Sequence, residues 1–408
     1  MQDEKPSTSR PLRVFISAAE QSGDQHAAEL IRRIRQLRPD AQFAGVAGLQ
    51  MQAAGCLAIE DWTRQAAMLT SAFKLIGKAR ELLNKVEDHL DEYPADIAVL
   101  VDSPALHLPM AKRLRHFDCP VLYYIAPQLW AWAPWRIRKV RKFVDKLSAI
   151  LPFEQAYFRE RGVDTHFVGH PLIAQLGGRP IDTHEVQNLR DMGSPIVACL
   201  PGSRSHVIDE VLPGQIEVIR AIAARHHRAV FVFPAANDDA AAKIRKAING
   251  ERVPHRVAVG RNAEFLTAAD FALVASGTAT LEVAYYRVPM IVMYNAPQWP
   301  YRLLGRWLIR TEHLSLVNIL AGKRAVPEFM PYYKSSGPIA AEALAMLSKP
   351  ERCEDMREEL AAIIASLGEG DAALATAQMA IEMAGVKAQP LGKPAENTLD
   401  HPASARTT

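Results

Sequence analysis

Short apolar runs alternate along the first half of the chain with segments in which apolar residues recur at helical spacing. The runs that predict strands are 12–18, 97–101, 121–125 and 147–151. The helical spacing is clearest after Ser22-Gly23-Asp24, where Ala27, Leu30, Ile31 and Ile34 share one face. Strands that alternate with helices are typical of a parallel sheet covered on both faces. The first half is therefore predicted to be a doubly wound α/β domain.

The alternation stops at Gly-His-Pro (169–171) and Gly-Gly-Arg-Pro (177–180), and then restarts. The second series has predicted strands at 196–200, 229–233, 256–259, 271–275 and 290–293, and predicted helices at 211–226, 338–348 and 354–385. The sequence thus predicts two Rossmann-like doubly wound parallel-sheet domains facing a cleft, an arrangement often called GT-B. In open parallel sheets, ligands bind beyond the carboxyl ends of the strands.

The breaks in the pattern give the predicted domain bounds. They are a flexible lead at 1–10, an N-terminal domain at 11–184, a C-terminal domain at 185–355, helices completing the fold at 356–386, and a disordered tail at 387–408. The tail is predicted to be disordered because it combines Pro, Ala, Thr and charge without periodicity.

Composition and charge exclude several classes of protein. A net charge of +3 is too small to indicate a nucleic-acid partner. The four cysteines are far apart and form no Cys-x-x-Cys pair, so reduced thiols in a cytosolic protein are expected rather than disulfides or zinc. The polar N-terminus does not resemble a signal peptide. No apolar run approaches the roughly 20 residues that span a bilayer, so any membrane contact is expected to be peripheral.

The most informative chemistry lies at residues 271–294. An apolar run ends at a small, hydroxyl-rich turn of Ser276, Gly277 and Thr278, and the helix that follows carries Glu282 near its start. Backbone N–H groups in such a turn can approach a phosphate closely, and a carboxylate inside the helix can accept both hydroxyls of a ribose. The pattern predicts a nucleoside-diphosphate site, although the usual dinucleotide and P-loop motifs are absent.

Leu-Pro-Gly-Ser-Arg at 200–204 gives a second candidate turn in the same predicted domain. Gly202 and Ser203 can offer N–H groups to a phosphate, and Arg204 can neutralise a departing diphosphate. The alternative is an ordinary Pro-Gly turn with a surface arginine. The sequence has no Asp-x-Asp and no metal-spaced histidines, so metal-independent chemistry without a cofactor is expected.

Candidate catalytic carboxylates follow two strands of the first predicted domain. Asp102 ends the run 97–101 and is the best candidate for a general base that deprotonates an acceptor hydroxyl. The alternative explanation is that Asp102 only forms the turn before Ser-Pro. Glu20 follows the first strand, and a functional role and a structural role explain this carboxylate equally well. Ser22 reads structurally as a helix cap. His170, in Gly-His-Pro, is expected to be a structural corner.

Two segments could face a membrane. Trp130, Trp132 and Trp135 precede a cationic run within residues 136–146, which suits an anionic lipid surface but also suits a solvated helix face. Residues 68–83 mix large apolar side chains with Lys and Arg. Core packing is the commoner fate of such a stripe, and a lipid-facing helix is the functional alternative.

Taken together, these motifs resemble the lipid-A-disaccharide synthase family over about residues 11–385. The segments that carry the resemblance include Ala-Glu-Gln-Ser-Gly-Asp (19–24), Val-Asp-Ser-Pro (101–104), Trp-Ala-Trp (130–132), Leu-Pro-Gly-Ser-Arg (200–204), Ser-Gly-Thr-Ala-Thr-Leu-Glu (276–282) and Leu-Ser-Leu-Val-Asn (314–318). The resemblance implies an inverting glycosyltransferase with Asp102 as its base. It also implies cleft contacts at Glu20, Ser22, Arg204, Ser276, Glu282 and Asn318, to which we add Tyr294.

The resemblance also implies the substrates. The donor would be UDP-2,3-diacylglucosamine and the acceptor 2,3-diacylglucosamine 1-phosphate, giving a β-1,6-linked lipid A disaccharide 1-phosphate and UDP for outer-membrane assembly in Gram-negative cells. The enzyme would work in the cytoplasm, peripherally on the inner face of the inner membrane. A homodimer is left open.

The sequence departs from the family pattern at four positions: Leu49 and Val317 replace proline, Val207 replaces an acidic residue, and Asn295 replaces arginine. Two other functions therefore stay open. One is an enzyme like UDP-N-acetylglucosamine 2-epimerase, against which the Trp-rich basic segment counts, because a soluble sugar nucleotide needs no such surface. The other is a catalytically weakened relative that binds a nucleotide sugar or a lipid.

Overall fold

The structure is a computed structural model that describes residues 10–62, 72–295 and 312–385. For residues 72–75 it describes the backbone alone. In these residues the strands form two sheets, one of seven strands and one of six, and the neighbours whose register is defined run parallel. Helices connect the strands. The prediction of two doubly wound parallel sheets is therefore confirmed.

The first sheet has the order β3-β2-β1-β4-β5-β6-β7. Its strands are β1 (Arg13–Ala18), β2 (Gln42–Val46), β3 (Leu57–Glu60), β4 (Ile97–Val101), β5 (Val121–Tyr124), β6 (Lys146–Ala149) and β7 (Thr165–Phe167). The second sheet has the order β10-β9-β8-β11-β12-β13. Its strands are β8 (Ile196–Leu200), β9 (Val230–Ala235), β10 (His255–Val259), β11 (Phe271–Ala275), β12 (Met290–Met293) and β13 (Glu328–Phe329).

The helices of the described ranges are numbered here in chain order. The first eight are α1 (Gln21–Leu37), α2 (Leu49–Ala53), α3 (Ala72–Glu92), α4 (Pro104–Leu114), α5 (Ile137–Phe143), α6 (Pro152–Arg159), α7 (Pro171–Gly177) and α8 (Thr183–Met192). The next eight are α9 (Ser205–Arg225), α10 (Asp238–Ile248), α11 (Asn262–Ala268), α12 (Ala279–Tyr285), α13 (Leu316–Ala321), α14 (Gly337–Leu347), α15 (Pro350–Ser366) and α16 (Ala372–Met383).

Contacts divide the chain into two compact units. The first unit comprises Met1–Ile125, Phe143–Lys146 and Ala373–Thr408, and the second comprises Ala126–Lys142 and Leu147–Ala372. The strands β4, β8 and β11 are buried at every position. Their near-continuous apolar sequences are what a parallel sheet with both faces covered requires, and each large apolar side chain buried there stabilises the fold by about 1.5–3 kcal/mol.

Several element boundaries differ from the prediction. The helix expected at 211–226 begins at Ser205 and continues through Pro213. An interior proline costs about 3 kcal/mol, whereas the buried side chains of Ile208, Val211 and Leu212 each contribute about 1.5–3 kcal/mol. The burial of these apolar side chains therefore outweighs the cost of the interior proline. The single helix expected at 354–385 is two helices, α15 and α16, because Gly368 between them has a left-handed backbone with φ 79°.

The segment 68–83 is only partly described. Helix α3 begins at Ala72, and residues 63–71 lie outside the described ranges. Leu82 and Leu83 are buried, as core packing predicts, whereas Ile76 is 55% exposed. The expected lead and tail also fall outside the described residues, apart from Arg10. Of the helices that are described, none is both long and apolar enough to cross a bilayer.

Candidate active site

Two candidate carboxylates of the first unit follow neighbouring strands. Strands β1 and β4 are parallel, and Ala18 at the end of β1 is opposite Val101 at the end of β4. Glu20 and Asp102 therefore leave the sheet at the same edge. Burial raises the pKa of the half-buried Asp102 carboxyl, the N–H of Ser103 opposes this, and the charge of Glu20 raises the pKa further. The structure thus brings both predicted carboxylates together.

The backbone at Asp102 is unusual for a residue with a side chain. Asp102 and Ser103 have φ angles of 55° and 45°, both in the left-handed region. The chain then enters α4 at Pro104, which suits the first turn of a helix. The Ser103 hydroxyl oxygen is buried and has no hydrogen-bond partner among the described residues. This tight turn places the Asp102 side chain at the end of the strand and immediately before the helix.

The first turn of α1 contains Asp24 but places Ser22 differently from the structural expectation. The helix begins at Gln21 with Glu20 as its N-cap, so the expectation that Ser22 is the cap is wrong. Ser22 is exposed inside the first turn and remains a predicted substrate contact. Asp24 is buried and accepts hydrogen bonds from the N–H groups of Gln50 and Met51, at 2.9 and 3.1 Å. It therefore caps α2 rather than serving its own helix alone.

The candidate turns of the second unit also meet at one edge of a sheet. Strands β8 and β11 are parallel neighbours with Leu200 opposite Val274, and β11 and β12 are neighbours with Ala275 opposite Met293. The turn 202–204, the turn 276–278 and Tyr294 therefore all begin where these three strands end. A Cβ on Gly202 would lie 3.8 Å from the Cβ of Ala275, which shows how closely the first two turns approach.

Both turns contain a glycine that the backbone requires. Gly202 has φ 110°, and a Cβ there would lie 2.6 Å from a methyl carbon of Val207. Gly277 has φ 134° and open space around it. Glycine is therefore required there by the backbone conformation and not by a lack of space. The Gly277 carbonyl accepts a hydrogen bond of 2.7 Å from the Thr280 hydroxyl. Ser203, Arg204 and Thr278 are exposed, and Ser276 is half-buried.

The Glu282 carboxylate is held by two neighbours that sequence reasoning missed. The Asn262 side-chain amide donates to both of its oxygens, at 3.2 and 3.1 Å. Arg179 forms an ion pair with it at 3.7 Å. Burial raises the pKa of Glu282, and Asn262 and Arg179 oppose that rise because both favour the charged form. The carboxylate is thus preorganised at the start of α12.

Tyr294 and Arg204 come together with a third residue, Glu210 of α9. Burial, a hydrogen bond to Glu210 and the negative charge of Glu210 together raise the pKa of Tyr294 to about 12, against the opposing charge of Arg204. The phenol therefore stays protonated at neutral pH, and its one O–H donates to Glu210. Glu210 lies 84 positions before Tyr294 in the chain, and the two meet only in the folded structure.

Asn318 is fully buried at the start of α13. Its amide nitrogen donates to the Val326 carbonyl and to Glu328, both at 3.0 Å, and its oxygen accepts from the Val326 N–H at 2.9 Å. Glu328 also accepts from the N–H and hydroxyl of Ser315, at 3.0 and 2.7 Å. Burial tends to raise the pKa of Glu328, but the hydrogen bonds from Ser315 and Asn318 outweigh it and lower the pKa. These contacts fix the 314–328 segment.

The remaining sequence predictions concern His170 and the tryptophans. His170 is the N-cap of α7 and accepts from the Leu172 N–H at 3.2 Å, so the expected structural corner is confirmed. Trp130 donates to the buried Glu154 at 3.0 Å, which gives it a packing role. Trp132 and Trp135 are instead 37% and 62% exposed. Among the residues that the structure describes, no cluster of three or more His, Cys, Asp or Glu residues could hold a metal ion.

Fold and site together define a class: an α/β protein of two Rossmann-like parallel sheets, whose second sheet ends in small, hydroxyl-rich turns. The family described as lipid-A-disaccharide synthetase matches residues 14–382. The chain belongs to this family. It is 35% identical over 374 residues to the lipid-A-disaccharide synthase of Nitrosococcus oceani, covering 89% of this chain and 94% of that protein. It is 34% identical over 375 residues to the enzyme of Myxococcus xanthus, covering 91% and 98%.

Solved structures of low sequence identity share the fold. A putative UDP-N-acetylglucosamine 2-epimerase from Listeria monocytogenes aligns with a TM-score of 0.61 at 14% identity, covering 93% of this chain and 98% of that one. Acinetobacter baumannii MurG aligns with a TM-score of 0.55 at 11% identity, covering 91% and 100%. These similarities confirm the GT-B type of fold. Family membership identifies the chain as a glycosyltransferase of lipid A synthesis, in agreement with the resemblance seen in its motifs.

Proposed function

We propose that the protein joins UDP-2,3-diacylglucosamine to 2,3-diacylglucosamine 1-phosphate and releases UDP and a β-1,6-linked disaccharide 1-phosphate. Family membership supports the substrates. The observation that carries the proposal for this chain is the common edge at which the turns 202–204 and 276–278 and the residue Tyr294 begin. That edge offers N–H groups, hydroxyls and the Arg204 charge for a nucleoside diphosphate.

The second unit would bind the donor. Gly202, Ser203 and the turn of Ser276, Gly277 and Thr278 would bind the diphosphate through backbone N–H groups and hydroxyls. The Glu282 carboxylate, held by Asn262 at 3.1 and 3.2 Å, would accept both ribose hydroxyls. Tyr294 would stay protonated and would donate its one O–H to a diphosphate oxygen in place of Glu210. Ser22 and Asn318 are included as predicted contacts, Asn318 through the segment that it fixes.

Chemistry would proceed by direct displacement with inversion. The 6-hydroxyl oxygen of the acceptor attacks the anomeric carbon of the donor, and the bond from that carbon to the diphosphate oxygen breaks. The hydroxyl proton passes to Asp102, and the electron pair of the broken bond leaves on UDP, where Arg204 stabilises the charge. Glu20 assists because its negative charge raises the pKa of Asp102 and so makes the carboxylate more basic. We propose that this proceeds without a metal ion or cofactor.

A membrane surface is the second part of the proposal. The exposed side chains of Trp132 and Trp135 and four exposed cations of α5 belong to one continuous segment of the second unit; the cations are Arg138, Lys139, Arg141 and Lys142. We name these six residues the Trp-basic surface. Indole rings and cations together suit an anionic lipid interface. Peripheral binding there would give access to two acylated substrates on the inner face of the inner membrane.

The overall reaction is tested by product analysis. We would incubate the protein with both acylated substrates in buffer containing EDTA and follow UDP and disaccharide by mass spectrometry. The proposal predicts equal amounts of UDP and disaccharide, unaffected by EDTA. Loss of activity in EDTA that Mg²⁺ restores would contradict the metal-free step. UDP binding without turnover would favour a weakened relative, and epimerised UDP-N-acetylglucosamine in a parallel reaction would favour the epimerase-like alternative.

A further inference from the structure

We propose that His107, Tyr123 and Ser17 are positioning residues that fix the backbone of Asp102, and through it the direction of the carboxylate. This inference rests on the proposed function of Asp102 as the general base. All four residues belong to the first unit. None of the three was singled out by the sequence, because they lie on three separate elements: Ser17 on β1, His107 on α4 and Tyr123 on β5.

The Asp102 turn needs external support. Two consecutive residues with side chains have positive φ angles, 55° at Asp102 and 45° at Ser103. Such a conformation is disfavoured because the Cβ approaches the following backbone, and it persists only where the surroundings over-determine it. The helix that follows gives little help from side chains, since Ser103 is its N-cap and makes no side-chain capping hydrogen bond.

The support acts on the Asp102 peptide groups. The Asp102 carbonyl oxygen lies 2.6 Å from Nδ1 of His107 and 2.5 Å from the hydroxyl of Tyr123. A carbonyl has two lone pairs, and these two donors occupy both. On the other side, the Asp102 N–H donates to the Tyr124 carbonyl at 3.0 Å. Both peptide groups that flank the Asp102 side chain are therefore held.

The contacts also define the protonation of His107. A carbonyl oxygen can only accept, so Nδ1 of His107 carries the proton. Nε2 is then an acceptor, and the Ser17 hydroxyl at 2.9 Å donates to it. The imidazole is fully buried, and burial lowers the pKa of His107 to about 4. The ring is thus neutral at neutral pH and held in one tautomer. This suits a residue that positions its neighbours and not one that carries a proton.

The ring system is packed as well as hydrogen-bonded. The rings of His107 and Tyr123 meet edge to face, with centroids 6.2 Å apart and planes at 78°. Both side chains are fully buried. Two rigid aromatic donors held in this way leave the Asp102 carbonyl little freedom. A base must lie within hydrogen-bond reach of the proton that it takes, so a small rotation of this turn would slow the reaction.

The test compares variants that remove a donor with variants that keep it. Tyr123→Phe removes only the hydroxyl, and His107→Leu removes the ring donor while keeping an apolar side chain. His107→Asn keeps an amide donor near the position of Nδ1. Thr165→Val is the matched control, because Thr165 is a fully buried residue of the second unit whose hydroxyl donates to a backbone carbonyl, that of Val163, at 3.0 Å.

We expect kcat to fall about tenfold in Tyr123→Phe and about 10²-fold in the double variant with His107→Leu, with KM within about twofold, because the base is misplaced rather than lost. His107→Asn should recover most of the activity lost in His107→Leu. Thr165→Val should lower the melting temperature without changing kcat. Unchanged kcat in the double variant, with Asp102→Asn inactive, would overturn the inference while leaving the base intact.

A structural readout separates this inference from the function on which it rests. If Asp102→Asn remains fully active, the proposed base fails, and the catalytic role of the three residues fails with it. Crystal structures of Tyr123→Phe and of the double variant test the positioning directly. We expect the φ angle of Asp102 to leave the left-handed region in the double variant. An Asp102 turn that is unchanged there would overturn the inference, whatever the activity.

Discussion

At the scale of single residues, the site depends on how buried carboxylates are held. Glu282 was visible in the sequence because it follows a small turn at the start of a helix. Its partners Asn262 and Arg179 were not visible, since they are 20 and 103 positions earlier in the chain and meet it only in the folded state. Sequence patterns identify residues at strand ends, but not the neighbours that orient them.

Glu282 gives the first prediction. The change Glu282→Gln should weaken UDP binding by about 1.5–3 kcal/mol, the range for a hydrogen bond to a charged group. The loss should be smaller for 2′-deoxy-UDP, which lacks one of the two hydroxyls. Isothermal titration calorimetry measures both. Glu251→Gln is a suitable control, because it also removes a carboxylate paired with an arginine, Arg220 at 2.6 Å. Equal affinity of Glu282→Gln and the parent protein for UDP would contradict the ribose contact.

Glu154 gives a prediction about pH. It is buried beside Trp130, and burial raises its pKa to about 7 against the hydrogen bonds from Trp130 and the Leu151 backbone. An acid whose pKa is higher in the folded state stabilises the fold fully below its unfolded pKa of about 4.5, and that contribution is lost as pH rises through about 7. The lost contribution amounts to about 3 kcal/mol.

Urea unfolding at pH 5 and pH 8 measures this term. The fall in the free energy of unfolding between these pH values should be smaller in Glu154→Gln than in the parent protein, by up to about 3 kcal/mol. The comparison concerns the pH dependence and not the absolute stability, because a glutamine cannot accept from both donors equally. Glu160→Gln, which alters an exposed side chain, should keep the parent's pH dependence. An identical fall in all three proteins would contradict the shifted pKa.

At the scale of elements, continuously apolar strands and their following turns were predictable, and strands of mixed polarity and composite helices were not. Strands β4, β8, β11 and β12 match the predicted bounds because each is a continuous apolar run of four or five residues. Strands β2, β3, β7 and β13 have two to five residues and mixed polarity, so their sequences carry little periodic signal. Their positions depend on pairing with a neighbouring strand, which is a property of the fold.

Helix α2 gives a prediction at this scale. Leu49 is its first residue and is 58% exposed, and Gly48 before it is extended with φ −79° and ψ −172°. Both features suit a proline at the first helical position. We expect Leu49→Pro to raise the free energy of unfolding by about 0.4–1 kcal/mol, because it restricts the unfolded chain. Chemical denaturation measures the change.

Gln50→Pro is the matched control for this helix. It places the same ring one position later and removes the N–H that donates to Asp24 at 2.9 Å. This variant should lower the free energy of unfolding, since Asp24 is buried and loses one of its two partners. If Leu49→Pro destabilised the protein as much as Gln50→Pro, the assignment of Leu49 to the first helical position would be wrong.

At the scale of the whole molecule, the Trp-basic surface should determine binding to membranes. Replacing Arg138, Lys139 and Arg141 by glutamine should weaken binding to phosphatidylglycerol vesicles by about 1 kcal/mol for each charge, or about 10²-fold in all. Binding to phosphatidylcholine vesicles should change little. Vesicle sedimentation measures both, with the exposed pair Arg228→Gln and Arg252→Gln as the control. Equal losses in the two sets of variants would contradict a specific lipid-facing surface.

The central claim is that Asp102 is the base of a disaccharide-forming glycosyltransferase, and one rate comparison tests it most directly. Asp102→Asn keeps the size of the side chain and a residue type that tolerates the left-handed backbone. Asp118→Asn is the control, because Asp118 has φ 47° and is exposed before β5, at the opposite end of the strands from Asp102. The account predicts that disaccharide formation falls by about 10²–10⁴-fold in Asp102→Asn and is unchanged in Asp118→Asn. Disaccharide formation at the parent rate in Asp102→Asn would contradict it.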